Sequence, residues 1–240
     1  MPLDPPIPLW RDGARSGQME TITFKNRREA GRQLGKLLAD RGYEGENALV
    51  LGVSSGGLVV AEEVASALSA TLDVVIVRKL RAPYRPELGI GAVLEGDRIL
   101  LDEDMARSVG ASQDYLNREI AFQKGEIERR LRFYRGHRPT PEVSGKTVIV
   151  VDDGIATGYT FRACLENLRQ HHPGLLVAAA PVATQDSAEM LKVFADEVVC
   201  LKTPSSFFAV GAWYRNFEQV GDDEAATILR RNWSRWPLAA

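Results

Sequence analysis

The residues of this chain with the clearest chemical potential are two adjacent acids, Asp152 and Asp153. They directly follow a β-branched apolar run, residues 148–151 (VIVV), which is typical of a strand buried on both faces. A loop of small residues, 154–158 (GIATG), separates them from a helical pattern that begins at Thr160. Carboxylates at the carboxyl end of a buried strand lie where open α/β sheets bind ligands, and the amides of the next loop attract anions. The stretch predicts a phosphate on the loop and sugar hydroxyls or a cation on the acids.

Three other interpretations of the acid pair fit the sequence less well. Receiver domains place such acids after their first strand, whereas most of the predicted sheet precedes Asp152. A Walker B strand requires a Walker A loop, and the candidate, residues 52–57 (GVSSGG), continues with Leu-Val where Lys-Ser/Thr is needed. A capped turn with two solvated acids leaves the Thr-Gly-x-Thr pattern of residues 157–160 unexplained. We therefore interpret the stretch as a ligand site.

Two further groups of candidates follow predicted strands. The turn 54–57 (SSGG) comes after the strand 48–53 and before a helical pattern, so its amides would lie at a sheet edge, although a tight turn without a ligand explains it equally well. The strand 73–77 (DVVIV) ends in Arg78 and Lys79. Two such cations can be simply solvated, but beside acids in one crevice they are expected to bind an anion.

The order of the elements predicts the fold class. Strands and helices alternate as β-α-β-(hairpin, helix)-β-α-β-α-β, which indicates an α/β fold with a central, mainly parallel sheet and helices on both faces. The remaining predicted strands are residues 148–151, 175–182 and 197–201, and the helices begin near Asn26, Leu58, Thr160, Ala188 and Asp222 or Asp223.

Segments outside the alternation are assigned separately. Residues 81–91 form a Pro/Gly-rich loop, a candidate lid, followed by a hairpin around residues 95–97 and a long helix over 112–134. Residues 204–217 form an aromatic C-terminal segment, here termed the hood. Residues 1–20 are expected to be a flexible leader before a single domain, 21–236.

Composition narrows the possible partners. The chain has 240 residues and a net charge of −2, which does not favour nucleic acid. The cationic end of the long helix (Arg129, Arg130, Arg132 and Arg135) is better explained by the dipole of the helix. Cys164 and Cys200 lie in apolar contexts and are expected to be reduced. No apolar run approaches the ~20 residues of a membrane span and no signal peptide is evident, so we expect a cytoplasmic protein without a membrane partner.

The stretch 148–160 resembles the 5-phosphoribosyl-1-pyrophosphate (PRPP) motif of type I phosphoribosyltransferases: four apolar residues, two acids and a loop ending in Thr-Gly-x-Thr. The similarity covers roughly residues 23–229 and is greatest to a bacterial group of stand-alone phosphoribosyltransferase-like proteins. Its other blocks are GVSSGGLVVAEEVA, DVVIVRKLRAPYRPELGIGAV and FFAVGAWYRNFEQVGDDE. The resemblance implies the type I phosphoribosyltransferase fold, with the hairpin and long helix as an insertion.

The resemblance also implies residue roles. Asp152 and Asp153 would hold the ribose hydroxyls, directly and through Mg²⁺, and residues 81–90 would form a flexible active-site loop. Asp152, Asp153 and Lys79 are the implied catalytic residues. The pyrophosphate would be bound by Ser55, Gly56, Gly57 and Lys79, joined by Arg78 as an anion ligand. The 5′-phosphate would be bound by Gly154, Ile155, Ala156, Thr157, Gly158, Tyr159 and Thr160.

Two departures from the related motifs bear on the activity. Ser54-Ser55 stands where related loops carry Pro-Arg, so one cation is missing, and Ala156 replaces an Asp of hypoxanthine-guanine enzymes, which argues against a 6-oxopurine. The implied function is transfer of phosphoribose from PRPP to a nitrogenous acceptor, a nucleobase, with a nucleoside monophosphate as product and a homodimer as the assembly. The alternative is a PRPP- or nucleotide-sensing regulator without turnover. Trp213 is the candidate for stacking on the base, although packing in the core is the competing explanation.

Overall fold

The computed structural model describes residues 23–45, 47–96 and 98–235. A five-stranded parallel sheet forms its centre, with strand order β2-β1-β6-β7-β8. The three strands over residues 48–53, 147–151 and 175–182 are mainly small and β-branched apolar residues that are buried on both faces, as predicted. The bounds are β1 (Ala48–Val53), β2 (Thr71–Val75), β6 (Thr147–Val151), β7 (Leu175–Val182) and β8 (Glu197–Lys202).

Helices cover both faces of this sheet, which confirms the predicted fold class. Alternate residues of one strand enter different clusters: Val50 belongs to the core beneath α1, α2 and α7, and Leu51 to the core beneath α5 and α6. The bounds are α1 (Arg27–Asp40), α2 (Gly56–Leu68), α5 (Tyr159–Arg169), α6 (Gln185–Leu191) and α7 (Asp222–Arg235). Both cysteines are free thiols.

The strand order determines where a ligand can bind. Strand β1 pairs with β2 on one side and with β6 on the other, and the later strands continue away from β6. The direction of strand addition therefore reverses between β1 and β6. Ligands of open α/β sheets bind at the carboxyl ends of the strands that flank such a switch point.

A second sheet corrects two expectations. The predicted strand 73–77 ends in the central sheet at Val75, and β3 (Val77–Ala82) then carries Arg78 and Lys79 into a three-stranded antiparallel sheet with β4 (Arg85–Leu94) and β5 (Ile99–Leu101). The prediction that these cations end a central strand is thus wrong. The apolar run 73–77 looks like one strand because its side chains belong to a core that continues through Ile76 from the central sheet into the second sheet.

The predicted loop 81–91 is mostly strand. Pro83 and Tyr84 make a tight turn, in which Tyr84 has a left-handed φ of 62°, and β4 then pairs with β3. Burial of Ile90 in the core drives this pairing more strongly than the local Pro and Gly residues oppose it. The hairpin between β4 and β5 is confirmed.

The predicted long helix is confirmed as α4 (Gln113–Arg135), and a short helix that was not predicted, α3 (Glu103–Ser108), precedes it. Within the three described ranges, no helix is long and apolar enough to cross a membrane. Phe24 makes a parallel bridge with Tyr214. The predicted leader, residues 21 and 22, Asp97 and Trp236 lie outside the described residues.

The cationic end of α4 is used inside the protein. Arg135 is buried, and its Nε donates to Asp73 Oδ1 at 3.0 Å while its Nη2 donates to the carbonyl of Val74 at 2.9 Å. Arg129 pairs with Asp222 of α7 at 3.1 Å. These arginines join α4 to the edge strand β2 and to α7, which explains them without a nucleic acid.

Replacement of Arg135 by Ala should therefore be costly, because Asp73 would remain buried without its counter-charge. We expect a loss of about 3–5 kcal/mol in the free energy of unfolding, measured by urea denaturation. Arg132 is the matched control: its side chain is 72% exposed and reaches Glu128 at 3.6 Å, so Arg132→Ala should cost less than about 1 kcal/mol. Equal losses in the two variants would contradict the buried pair.

Candidate active site

Two loops meet at the switch point, one after β1 and one after β6. Parallel pairing of Gly52 with Val151 brings the following residues of both strands side by side. A Cβ on Gly57 would lie 2.8 Å from the carbonyl oxygen of Val151, and one on Gly56 would lie 2.2 Å from Oδ2 of Asp153. Only glycine permits this approach, so the structure brings the predicted Gly56-Gly57 turn and acid pair together.

The two acids are held in a partly desolvated position. The side chain of Asp153 is 14% exposed, and its Oδ2 accepts from Arg27 Nε at 2.6 Å. The amide of Asp153 donates to Asp152 Oδ1 at 2.8 Å. Burial and the adjacent charge of Asp153 raise the pKa of Asp152 well above its ordinary value. Burial also raises the pKa of Asp153, and the Arg27 charge opposes that rise.

Arg27 is a site residue that the sequence analysis missed. It is the first residue of α1, whose cap is Asn26 accepting from the amide of Glu29 at 3.0 Å. Its Nη1 donates to the carbonyl of Glu218 at 2.7 Å, and its guanidinium lies 3.7 Å from the ring centroid of Phe217. The sequence predicted that α1 begins near Asn26, but no local pattern indicated that the first turn of α1 lies beside the two acids.

The hood and the residues after it close against both loops. The hydroxyl of Tyr214 donates to the carbonyl of Asp153 at 2.5 Å, and Ser55 Oγ donates to the carbonyl of Val220 at 2.9 Å. A Cβ on Gly154 would lie 2.4 Å from Cγ1 of Val210. The peptide bond between Ser54 and Ser55 is cis. Through its hydrogen bond to Val220, the side chain of Ser55 holds the C-terminal segment in addition to lying in the predicted pyrophosphate loop.

The predicted phosphate loop, residues 154–160, is held by hydrogen bonds to one of its carbonyls, and its threonine side chains are exposed to solvent. The carbonyl of Ala156 accepts from Thr184 Oγ1 at 2.9 Å and from Ser187 Oγ at 2.6 Å. Gly158 has a φ of 73° just before α5 begins, whereas Thr157 and Thr160 are exposed. The first amides of a helix have no partner within it, so the start of α5 can receive an anion beside the acids.

Arg78 and Lys79 are placed differently from Ser55, Gly56 and Gly57. Lys79 is exposed and its Nζ donates to the carbonyl of Glu87 at 2.5 Å, while Arg78 Nε donates to Gln123 Oε1 at 2.9 Å. Burial, together with the charge of Arg130, lowers the pKa of Arg78. The amide of Ser54 donates to the carbonyl of Val75 at 3.1 Å, so the chain turns into the second sheet beside the loop. Both cations are engaged with their own sheet and helix.

Trp213 lies in the core rather than on an open surface. Trp213 is 6% exposed, and its ring stacks on the ring of Phe207 with centroids 6.4 Å apart. Phe208, by contrast, is 97% exposed. This burial favours the packing explanation for Trp213 over stacking on a base.

The donor set of the site suits one kind of metal. In the described part of the chain, no group of three or more His, Cys, Asp or Glu is arranged to hold an ion. Asp152 and Asp153 offer only carboxylate oxygens, which suit a hard cation such as Mg²⁺ that takes one or two carboxylates and completes its shell from substrate and water. The residues present therefore fit Mg²⁺ bound together with a phosphorylated ligand.

A separate cavity of about 420 Å³ lies away from the acid pair. Leu94, Arg135, Val143 and Leu168 are among its lining residues, and the predicted site residues are not. It therefore does not extend the site at the switch point.

Comparisons with known proteins agree with this geometry. The family model described as "Phosphoribosyl transferase domain" matches residues 24–216. A Mycobacterium tuberculosis protein named "Putative phosphoribosyl transferase" is 42% identical over 211 residues, which are 87% of this chain and 46% of the relative. A Thermus thermophilus protein of known crystal structure is 43% identical, with a TM-score of 0.72 over 88% of this chain and 99% of that one.

The chain belongs to the phosphoribosyl transferase domain family, and the predicted type I fold is confirmed. It spans about half the length of the curated relatives that it matches.

The burial of Trp213 predicts the effect of removing it. Trp213→Ala should lower the free energy of unfolding by about 3–5 kcal/mol, because a large core side chain leaves a cavity. Phe208→Ala, in the same hood, should change it by less than about 0.5 kcal/mol. Urea denaturation of both variants checks this, and a stable Trp213→Ala protein with weakened nucleotide binding would restore the stacking hypothesis.

Proposed function

We propose that this chain transfers the 5-phosphoribosyl group of PRPP to a nitrogenous acceptor of the nucleobase class, with release of pyrophosphate. The observation that carries the proposal is the contact between the Gly56-Gly57 turn and the Asp152-Asp153 pair at the switch point, beside an open helix start. Membership of the phosphoribosyl transferase domain family supports the same reaction. The nucleoside monophosphate is then the second product.

Each part of the substrate has a corresponding part of the site. The 5′-phosphate suits residues 154–160, where a loop and the start of α5 lie together. The ribose hydroxyls suit the carboxylates of Asp152 and Asp153, and the same two residues would hold Mg²⁺. When bound, Mg²⁺ supplies charge that stabilises the pyrophosphate. The Ser55-Gly56-Gly57 turn at the start of α2 suits the pyrophosphate itself.

The reaction breaks the bond from ribose C1 to the pyrophosphate oxygen and forms a bond from C1 to the acceptor nitrogen. Because breaking runs ahead of forming, positive charge develops on the ribose and negative charge on the departing pyrophosphate. The acids face the first charge, and the amides at the start of α2 face the second. The hood and the residues that follow it limit access of water, since Tyr214 joins the hood to the loop after β6 and Ser55 joins Val220 to the loop after β1. No covalent intermediate on the protein is required.

A regulator that binds PRPP without turnover is the second candidate. The Ser55 hydroxyl is engaged with the carbonyl of Val220, and the Lys79 ammonium with the carbonyl of Glu87. Neither side chain is therefore free, in this conformation, to stabilise a leaving pyrophosphate. This observation favours slow turnover.

Pyrophosphate release from PRPP, measured with Mg²⁺ across a panel of nucleobases, tests the proposal. Release that depends on one base supports the transferase, and calorimetric binding of PRPP without release by any base supports the regulator. Absence of PRPP binding would contradict both.

Replacement of Asp153 by Asn should weaken PRPP binding in the presence of Mg²⁺ by at least about tenfold, because a charged hydrogen-bond acceptor is lost. The variant should also melt at a lower temperature, since Asp153 neutralises Arg27. Asp196→Asn is the control: it removes a carboxylate paired with Arg169 at 2.9 Å, outside the predicted site, and should leave PRPP affinity unchanged. Titration calorimetry measures the affinity, and wild-type affinity in Asp153→Asn would contradict the assignment.

Replacement of Thr160 by Val tests the phosphate loop. It should lower the affinity for a nucleoside monophosphate by about tenfold, which is the usual effect of losing one hydrogen bond to a charged group. The affinity for the free nucleoside should be unchanged. Thr227→Val is the control, because the Thr227 hydroxyl donates to the carbonyl of Asp223 within α7. If both ligands lose affinity equally in Thr160→Val, the loop does not hold the phosphate.

A further inference from the structure

Arg27 lies where the start of α1 meets both site loops, and no expectation from the sequence gave it a role. We propose that Arg27 binds the pyrophosphate group of PRPP and of the released product. The inference rests on the proposed function, and it assigns to α1 a cation that the Ser54-Ser55 turn lacks.

The first argument is position. A Cβ on Gly56 would lie 3.1 Å from Arg27 Nε, so the guanidinium lies directly against the backbone of the turn that begins α2. Helix α2 has 13 residues, and its amino end carries partial positive charge. A full cation and a helix start thus act on the same small region. An anion bound at the turn would be within reach of both.

The second argument is preorganisation. The side chain of Arg27 is only 10% exposed. The carbonyl of Glu218 at 2.7 Å, the ring of Phe217 at 3.7 Å and Asp153 at 2.6 Å hold its guanidinium from three directions. A planar guanidinium fixed in this way loses little conformational freedom when it binds a phosphate group.

The third argument is charge. Asp152 and Asp153 form an anionic edge that would repel a pyrophosphate, and within the described residues the cation paired with them is Arg27. The cations expected from the sequence have their partners on other elements, Lys79 on β4 at Glu87 and Arg78 on α4 at Gln123, and neither is paired with the two acids. Arg28, the neighbour of Arg27, pairs with Glu62 at 2.6 Å. Arg27 is therefore the cation placed to offset the acids where the leaving group must lie.

An opposite role for Arg27 predicts an opposite result. If its guanidinium only blocked Asp153 from a ligand, its removal would free that carboxylate and tighten binding. If Arg27 binds pyrophosphate, its removal weakens pyrophosphate binding selectively. The sign of the change distinguishes the two roles.

Titration calorimetry with Mg²⁺ provides the test. Inorganic pyrophosphate is titrated into protein already saturated with adenosine monophosphate, which is not a 6-oxopurine nucleotide, so that residues 154–160 are occupied. Arg27→Met should lower the affinity for pyrophosphate by about ten- to hundredfold. Arg27→Lys should lower it by a smaller factor, because a charge without the bidentate geometry remains. Arg28→Met, the matched control, should bind pyrophosphate as wild type does. Arg27→Met should lower affinity for the nucleoside monophosphate alone by a smaller factor than affinity for pyrophosphate, because Asp153 loses its partner. Arg28→Met should leave affinity for the nucleoside monophosphate unchanged.

Several outcomes would overturn the inference. Wild-type pyrophosphate affinity in Arg27→Met, with the nucleoside monophosphate still bound, contradicts this role alone. Tighter binding in Arg27→Met shows a block, and equal weakening of both ligands shows a purely structural role. If Arg27→Met does not fold, wild-type affinity in Arg27→Lys contradicts the inference. If wild type binds neither ligand, the proposed function fails and this role fails with it.

Discussion

The close approach of two loops at the carboxyl ends of β1 and β6 is the constraint on which the site depends. Parallel pairing of these strands forces the loops together, and Gly56 and Gly57 leave room for the acids that follow β6. Any side chain at these two positions would collide with backbone or carboxylate atoms. The chemistry of the acid pair and the geometry of the turn are therefore one feature of the fold.

This approach also concentrates negative charge in a partly desolvated place. Burial opposes ionisation of both acids, and Arg27 compensates by its ion pair with Asp153. The same arginine reaches Glu218 and Phe217, and Tyr214 reaches the carbonyl of Asp153. Electrostatic compensation and closure by the hood thus depend on the same contacts. This explains why aromatic residues outside a regular pattern lie next to the acids.

The sequence predicted the central sheet well because the strands at its middle are long apolar runs and α1 begins at a capping residue, Asn26. It also predicted the acid pair, since the strand, the acids and the small-residue loop are contiguous. The second sheet was mispredicted at residues 81–91, where the local Pro and Gly residues were given more weight than the apolar side chain of Ile90, which is buried. Arg27 was missed for another reason: its partners are distant in sequence, and no local pattern encodes such a contact. The burial of Trp213 depends equally on distant neighbours.

The hydrogen bonds of the residues that follow the hood have a consequence for the order in which the protein forms. Arg27 and the carbonyl of Glu218 are 191 residues apart in sequence, and Ser55 and Val220 are 165 apart. Closing a chain segment of this length costs about 4–5 kcal/mol in entropy, so these contacts become favourable only after the sheet has already drawn their ends together. On the ribosome, the strands up to β8 can pair while the last segment is still inside the exit tunnel. A nascent chain at that stage has its acids and its glycine turn but lacks the closing segment, and it acquires a complete site only when Val220 has left the tunnel.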